Sequence, residues 1–131
     1  MQTIVVRCVA FFVFLNFTSF AENWPGWRGA LGTGKADGEN YPTTWSRDKN
    51  VRWRIDLPER GNSSPVVWGG KVFVTQAIEA KGERQLLCFH REDGRLLWRK
   101  SVEYATKEPT HRTNPYSSAS PVTDGKHVIV S

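Results

Sequence analysis

The chain has 131 residues, room for about one domain, with 18 Lys and Arg against 13 Asp and Glu and a formal net charge of +5. The positive side chains Arg47, Lys49, Arg52, Arg54, Lys71, Arg95, Arg99 and Lys100 are dispersed along the chain. No compact basic cluster interleaves with stacking aromatics, which argues against a nucleic-acid partner.

Met1–Ala21 has the layout of a secretory signal peptide. One cation lies in Met1–Arg7, an apolar run follows over Cys8–Phe17, and Ser19-Phe20-Ala21 ends in small-x-small. The apolar run falls short of the roughly 20 residues a spanning helix needs. Cleavage after Ala21 leaves no stable membrane span, removes Arg7 and Cys8, and takes the charge from +5 to +4. Cys88 is then the one remaining Cys, so no intrachain disulfide can form. An exported chain without disulfides fits a bacterial periplasm, or secretion from such a cell.

Residues 22–50 are rich in Gly, Pro and Trp, and their apolar residues follow no helical period. They read as an irregular arm whose Trp24, Trp27 and Trp45 are expected to bury their rings on the flank of the fold. Val51–Leu57 alternates and is expected to be a strand. Residues 61–102 then hold four strands: Ser64–Val67, Lys71–Gln76, Arg84–His90 and Leu96–Val102. Gly-bearing turns join them, among them Asp93-Gly94, a strong hairpin signal. Residues 103–118 are a long connection, and residues 119–131 open a further unit.

Two sets of anchors repeat. Ser64-Pro65-Val66-Val67-Trp68-Gly69-Gly70-Lys71-Val72-Phe73-Val74 returns 56 residues later as Ser120-Pro121-Val122-Thr123-Asp124-Gly125-Lys126-His127-Val128-Ile129-Val130. Val51-Arg52-Trp53-Arg54 returns 45 residues later as Leu96-Leu97-Trp98-Arg99, the difference being an 11-residue excess in the long connection. A period near 45 lies within the roughly 40–50 residues of a propeller blade. One hairpin cannot bury its own apolar face, so a repeat implies stacked like units.

Cys88-Phe89-His90-Arg91-Glu92-Asp93-Gly94-Arg95-Leu96-Leu97-Trp98 resembles the tryptophan-docking repeat of pyrroloquinoline-quinone-like (PQQ-like) β-propeller proteins, Ala-x-Asp-x-x-Thr-Gly-Lys-x-x-Trp. Gly94 and Trp98 match, Arg95 stands in for Lys, and Cys88, His90 and Asp93 depart. Trp24-Pro25-Gly26-Trp27-Arg28-Gly29 and Asn114-Pro115-Tyr116-Ser117-Ser118 resemble stretches of the family's exported members. The Gly-His and Trp-Asp signatures of WD40 repeats are missing.

The resemblance implies an all-β fold, a β-propeller of four-stranded antiparallel blades, of which this chain reads as the N-terminal part. Within 51–131 it would hold a closing strand (51–57), one blade (61–102), an inter-blade loop (103–118) and the start of the next blade. Trp53, Pro65, Gly94, Trp98 and Pro121 are the structural repeat residues, and Trp98 is expected to lie between neighbouring blades.

Two functions fit. One is a non-enzymatic exported scaffold or binding protein, like the family's outer-membrane assembly propellers. The other is a PQQ-dependent dehydrogenase of alcohols or sugars, with calcium on the propeller axis. No cofactor site, catalytic residue or metal site is visible here, so the scaffold is the reading carried forward. His111, Arg112, Asn114 and Tyr116 in the long connection are the candidate binding residues, for other proteins or a small ligand at the propeller face. Pro109 and Pro115 stiffen their backbone. His90 and His127 are expected at the surface, Asp93 and Asp124 as turn aspartates, and Cys88 as a buried small hydrophobe.

Overall fold

The computed structural model describes residues 22–39, 41–104 and 106–131. The signal-peptide reading of Met1–Ala21 falls outside the described residues.

Four strands run in chain order across one antiparallel sheet: β1 (Val66–Trp68), β2 (Lys71–Ile78), β3 (Glu83–His90) and β4 (Leu96–Glu103). A two-stranded ladder, β5 (Val122–Thr123) with β6 (Val128–Ile129), lies beside β1. The β-branched content of Val66, Val67, Val72, Val74 and Thr75 suits the pleated surface they occupy. A 3-10 turn, Glu79–Lys81, joins β2 to β3 and closes on the left-handed Gly82.

Register puts Val66, Phe73, Cys88 and Trp98 in one row across the sheet. Val66 and Cys88 are fully buried and Phe73 is 4% exposed. Trp98 tilts against Phe73, with ring centroids 5.9 Å apart. Val128 of the second hairpin packs on this row. The opposite face carries Val74, Leu87 and Phe89, with Ile55 and Val72 packed against them. Strands β1–β3 are therefore covered on both faces, by the hairpin that follows the sheet and by the segment that precedes it, while β4 is largely exposed. Each fully buried side chain of this size contributes roughly 1.5–3 kcal/mol.

Val51–Leu57 forms no strand among the described residues, contrary to the alternation. The alternation is nonetheless real as packing, because Trp53 and Ile55 are half-buried while Arg52, Arg54 and Asp56 are exposed. Side chains hold the segment instead of a backbone ladder. The Trp53 indole N–H donates to the Arg91 carbonyl at 2.7 Å, and Arg52 pairs with Glu92.

The Trp53 ring lies on the β3–β4 turn at Gly94, whose φ is +73°. A Cβ there would meet the ring at 2.7 Å, so both the backbone conformation and the contact demand glycine. Trp53, the repeat of Trp98 45 residues earlier, docks on this turn, while Trp98 packs on the same core row as Val128 of the following hairpin. The second hairpin seats in a related way, with the left-handed Gly125 against the Trp68 indole.

The arm also departs from expectation. Trp24 is half-buried, but Trp27 and Trp45 are 68% and 69% exposed. The arm does not lie on the flank. Trp24 exchanges both backbone hydrogen bonds with Val67 at 2.8 Å, and the Thr123 N–H donates to the Pro25 carbonyl at 2.9 Å. It therefore bridges β1 and β5, satisfying edge groups that would otherwise be unpaired.

Candidate functional site

Strand direction decides which loops meet. β2 ends, β3 begins, β4 ends and β5 begins at one end of the sheet. The 79–82 turn, the approach to β1 and the 103–118 connection therefore share that end. The Tyr104 N–H donates to the Gly82 carbonyl at 2.7 Å across it. The turns near Gly69, Gly94 and Gly125 lie at the other end.

The connection is pinned from beneath. The N–H groups of Asn62 and Ser63 donate to the Ser117 carbonyl, and the Asn62 side chain donates to the Thr113 carbonyl at 2.7 Å. The Ser64 N–H donates to the Ser120 hydroxyl at 2.8 Å, joining the two copies of the repeated hairpin directly. Thr75 Oγ1 donates to the Ala119 carbonyl at 2.9 Å. Ser117, Pro115 and Pro121 are buried, whereas Pro65, the repeat partner of Pro121, is exposed.

Above that base stands a tight turn. The Asn114 N–H donates to the His111 carbonyl at 2.8 Å, and His111 Nδ1 lies 2.8 Å from the Thr113 hydroxyl. His111, Arg112 and Asn114 are all exposed at this tip. Tyr116 is not with them. Its hydroxyl donates to the Glu108 carbonyl at 2.6 Å, and the Arg84 guanidinium lies 3.9 Å from its ring centroid. Of the four candidate residues the structure brings three together at the tip and makes the fourth a structural anchor.

Arg84 is the residue that sequence reasoning missed. It sits at the start of β3, 32 positions before Tyr116, and also lies 5.9 Å from the Tyr104 ring centroid. Only its topological place, at the end of the sheet that carries the long connection, could have pointed to it. Lys81, Arg84, Tyr104, Lys107 and Tyr116 line a recess of about 530 Å³ between the 79–82 turn and the connection. On the sheet face that Val128 covers lies a second cavity of about 580 Å³, lined by Thr75, Gln76, Leu86, Lys100 and Val130 among others. Gln76 is 2% exposed and its Nε2 donates to the Glu59 and Ala77 carbonyls, while its Oε1 meets no partner among the described residues.

The turn aspartates are as expected. Asp93 accepts from the Arg95 N–H and lies 2.9 Å from His90 Nδ1; the Arg95 bond, foremost, holds its carboxyl below the ordinary value. Asp124 accepts from the His127 and Lys126 N–H groups, and the His127 bond leads in lowering it to about 2. Both carboxylates organise exposed turns. His90 is half-buried and His127 exposed, each beside its turn aspartate. Cys88 is buried, and desolvation pushes its thiol up, so it stays a neutral core group.

Pyrroloquinoline quinone and calcium would need a convergent donor set. Among the described residues no three His, Cys, Asp or Glu converge on a point that could hold a metal. No helix among the described residues is long and apolar enough to cross a membrane.

No curated protein and no solved structure gives a significant match to the chain. A family model does match, over residues 36–131, and its description is outer membrane protein assembly factor BamB. That span takes in the four-stranded blade, the Trp53 dock, the long connection and the second hairpin. The chain belongs to this PQQ-like repeat family of β-propellers.

Proposed function

We propose that the protein is an exported, non-enzymatic propeller scaffold that holds other proteins at its loop-bearing end. The observation that carries this reading is the build of the 103–118 connection. Its base is buried and hydrogen-bonded to the approach to β1, while His111, Arg112 and Asn114 stand exposed on a two-proline frame. A rigid base lowers the ordering cost of binding. Loops on a fixed scaffold are where recognition concentrates. The family's description as an assembly factor supports a protein partner. The layout of Met1–Ala21 supports export, and a periplasmic setting goes with it.

The test is co-purification from the native cell. The tagged protein carrying His111→Ala, Arg112→Ala and Asn114→Ala together is expected to keep its thermal midpoint, since exposed substitutions fall within about 0.5 kcal/mol. Recovery of its protein partners is expected to fall at least about tenfold. Undiminished recovery from a folded triple variant contradicts the reading. Tyr116 is left out because its loss would release the Glu108 and Arg84 contacts.

A further inference from the structure

We propose that the recess around Arg84 is a binding site for an acidic peptide segment, a deepening that rests on the scaffold reading above. Three cations line it from three different parts of the chain: Lys81 from the 3-10 turn, Arg84 from β3 and Lys107 from the connection. Glu79 is the one carboxylate in the lining. Among the described residues none of the three cations makes a salt bridge.

Arg84 is held in a particular way. The carbon at the centre of its guanidinium lies 3.9 Å from the Tyr116 ring centroid and 5.9 Å from that of Tyr104. Among the described residues its one side-chain hydrogen bond is a long donation, 3.5 Å, to the Glu83 carbonyl. Contact with the rings holds the guanidinium in place, and that long bond engages only one of its terminal nitrogens. A planar fork held in place with donors to spare can grip a carboxylate by two parallel hydrogen bonds. The two tyrosines are themselves fixed, because both hydroxyls are directed to Glu108, at 2.6 Å and 3.4 Å.

Size and spacing select the ligand. A volume of about 530 Å³ exceeds what a single small anion fills and is in the range of sites for larger ligands. Cations on three segments, with two aromatic rings between them, suit successive carboxylates on a chain that can lay its stems against the rings. A free phosphate has no stem to lay against the rings.

The experiment uses the full chain and a fluorescein-labelled eight-residue peptide alternating Glu and Gly, with anisotropy as the readout. Binding is expected, weakening as salt rises. The matching Lys–Gly peptide should not bind, and inorganic phosphate at the same total charge should not displace the acidic peptide. Arg84→Gln should weaken binding about tenfold, the loss of one charge-assisted pair. Arg84→Lys should also weaken it severalfold, because an ammonium neither stacks nor forks. Equal binding by Arg84→Gln and the parent protein, or full displacement by phosphate, overturns the proposal.

Should Arg84→Gln fail to fold, the exposed pair Lys81→Gln and Lys107→Gln decides in its place. Unchanged affinity in that variant overturns the proposal, and a loss of several-fold upholds it. The two readings fail separately. A tip variant that keeps its cellular partners, beside a recess that still needs Arg84 for the peptide, defeats the scaffold reading alone. A peptide indifferent to Arg84, beside a tip variant that loses its partners, defeats the recess alone.

Discussion

Phe73→Ala is expected to lower the unfolding free energy by about 3–5 kcal/mol, the range for a fully buried aromatic. Phe73 is the centre of the row Val66, Phe73, Cys88, Trp98, and it is 4% exposed. Removing its ring opens a cavity bounded by β-sheet backbone on one side and by the Trp98 ring on the other, with centroids 5.9 Å apart. Neither wall can collapse far, because the ladder fixes the first and the strand register fixes the second. Denaturant melts of parent and variant measure the change as a shift in midpoint at constant slope. Trp98→Ala should cost less, about 2 kcal/mol, since its ring is only half-buried. A smaller loss for Phe73 than for Trp98 would mean that the row is not the core.

Gly94→Ala is expected to cost about 2–5 kcal/mol. Two penalties add at this position. A φ of +73° costs a residue with a Cβ about 1–2 kcal/mol, and the new carbon would sit 2.7 Å from Trp53, an overpacking of about 1–3 kcal/mol. A double-mutant cycle separates them. With Trp53→Ala in the background the second penalty disappears, so Gly94→Ala should then cost only about 1–2 kcal/mol. Strict additivity of the two substitutions would show that the indole does not rest on the turn.

The local grammar of the blade was legible in the residues. Val-rich runs separated by Gly-bearing turns located β1 to β4, and the repeated Ser-Pro-Val stretch located β5 and β6. What the residues hid were contacts between distant segments. Val51–Leu57 has the period of a strand because Trp53 and Ile55 alternate inward, yet a strand also needs a neighbouring backbone, which no pattern within seven residues can supply. Trp24 and Trp27 look alike in sequence. Trp24 is half-buried beside the edge of β1, while Trp27 stays 68% exposed with Arg28 over its ring.

The site divides in the same manner. The connection stood out by its length and composition, and its tip residues are exposed as a recognition loop requires. Tyr116 was read as part of the recognition surface because its partner, Arg84, is remote in sequence. That pairing changes its role. The ring positions a guanidinium, and the hydroxyl ties the loop to Glu108. The turn aspartates and surface histidines lie two by two in separate turns, His90 with Asp93 and His127 with Asp124. Each pair caps its own turn, and the lowered values of both aspartates follow from backbone N–H donors.

The two ends of the blade are therefore unlike. One carries short turns whose aspartates, Asp93 and Asp124, serve the turns themselves. The other carries a braced loop with an exposed tip and an adjoining basic recess. A binding function should be confined to the second end, and site-specific photo-crosslinking in the native cell measures this most directly. A photoreactive residue at Arg112 is expected to give discrete cross-links to other proteins, while the same residue at Gly70, in the exposed turn at the opposite end, gives none. Cross-links of equal strength from both positions, or from Gly70 alone, would contradict the assignment of the loop-bearing end as the binding surface.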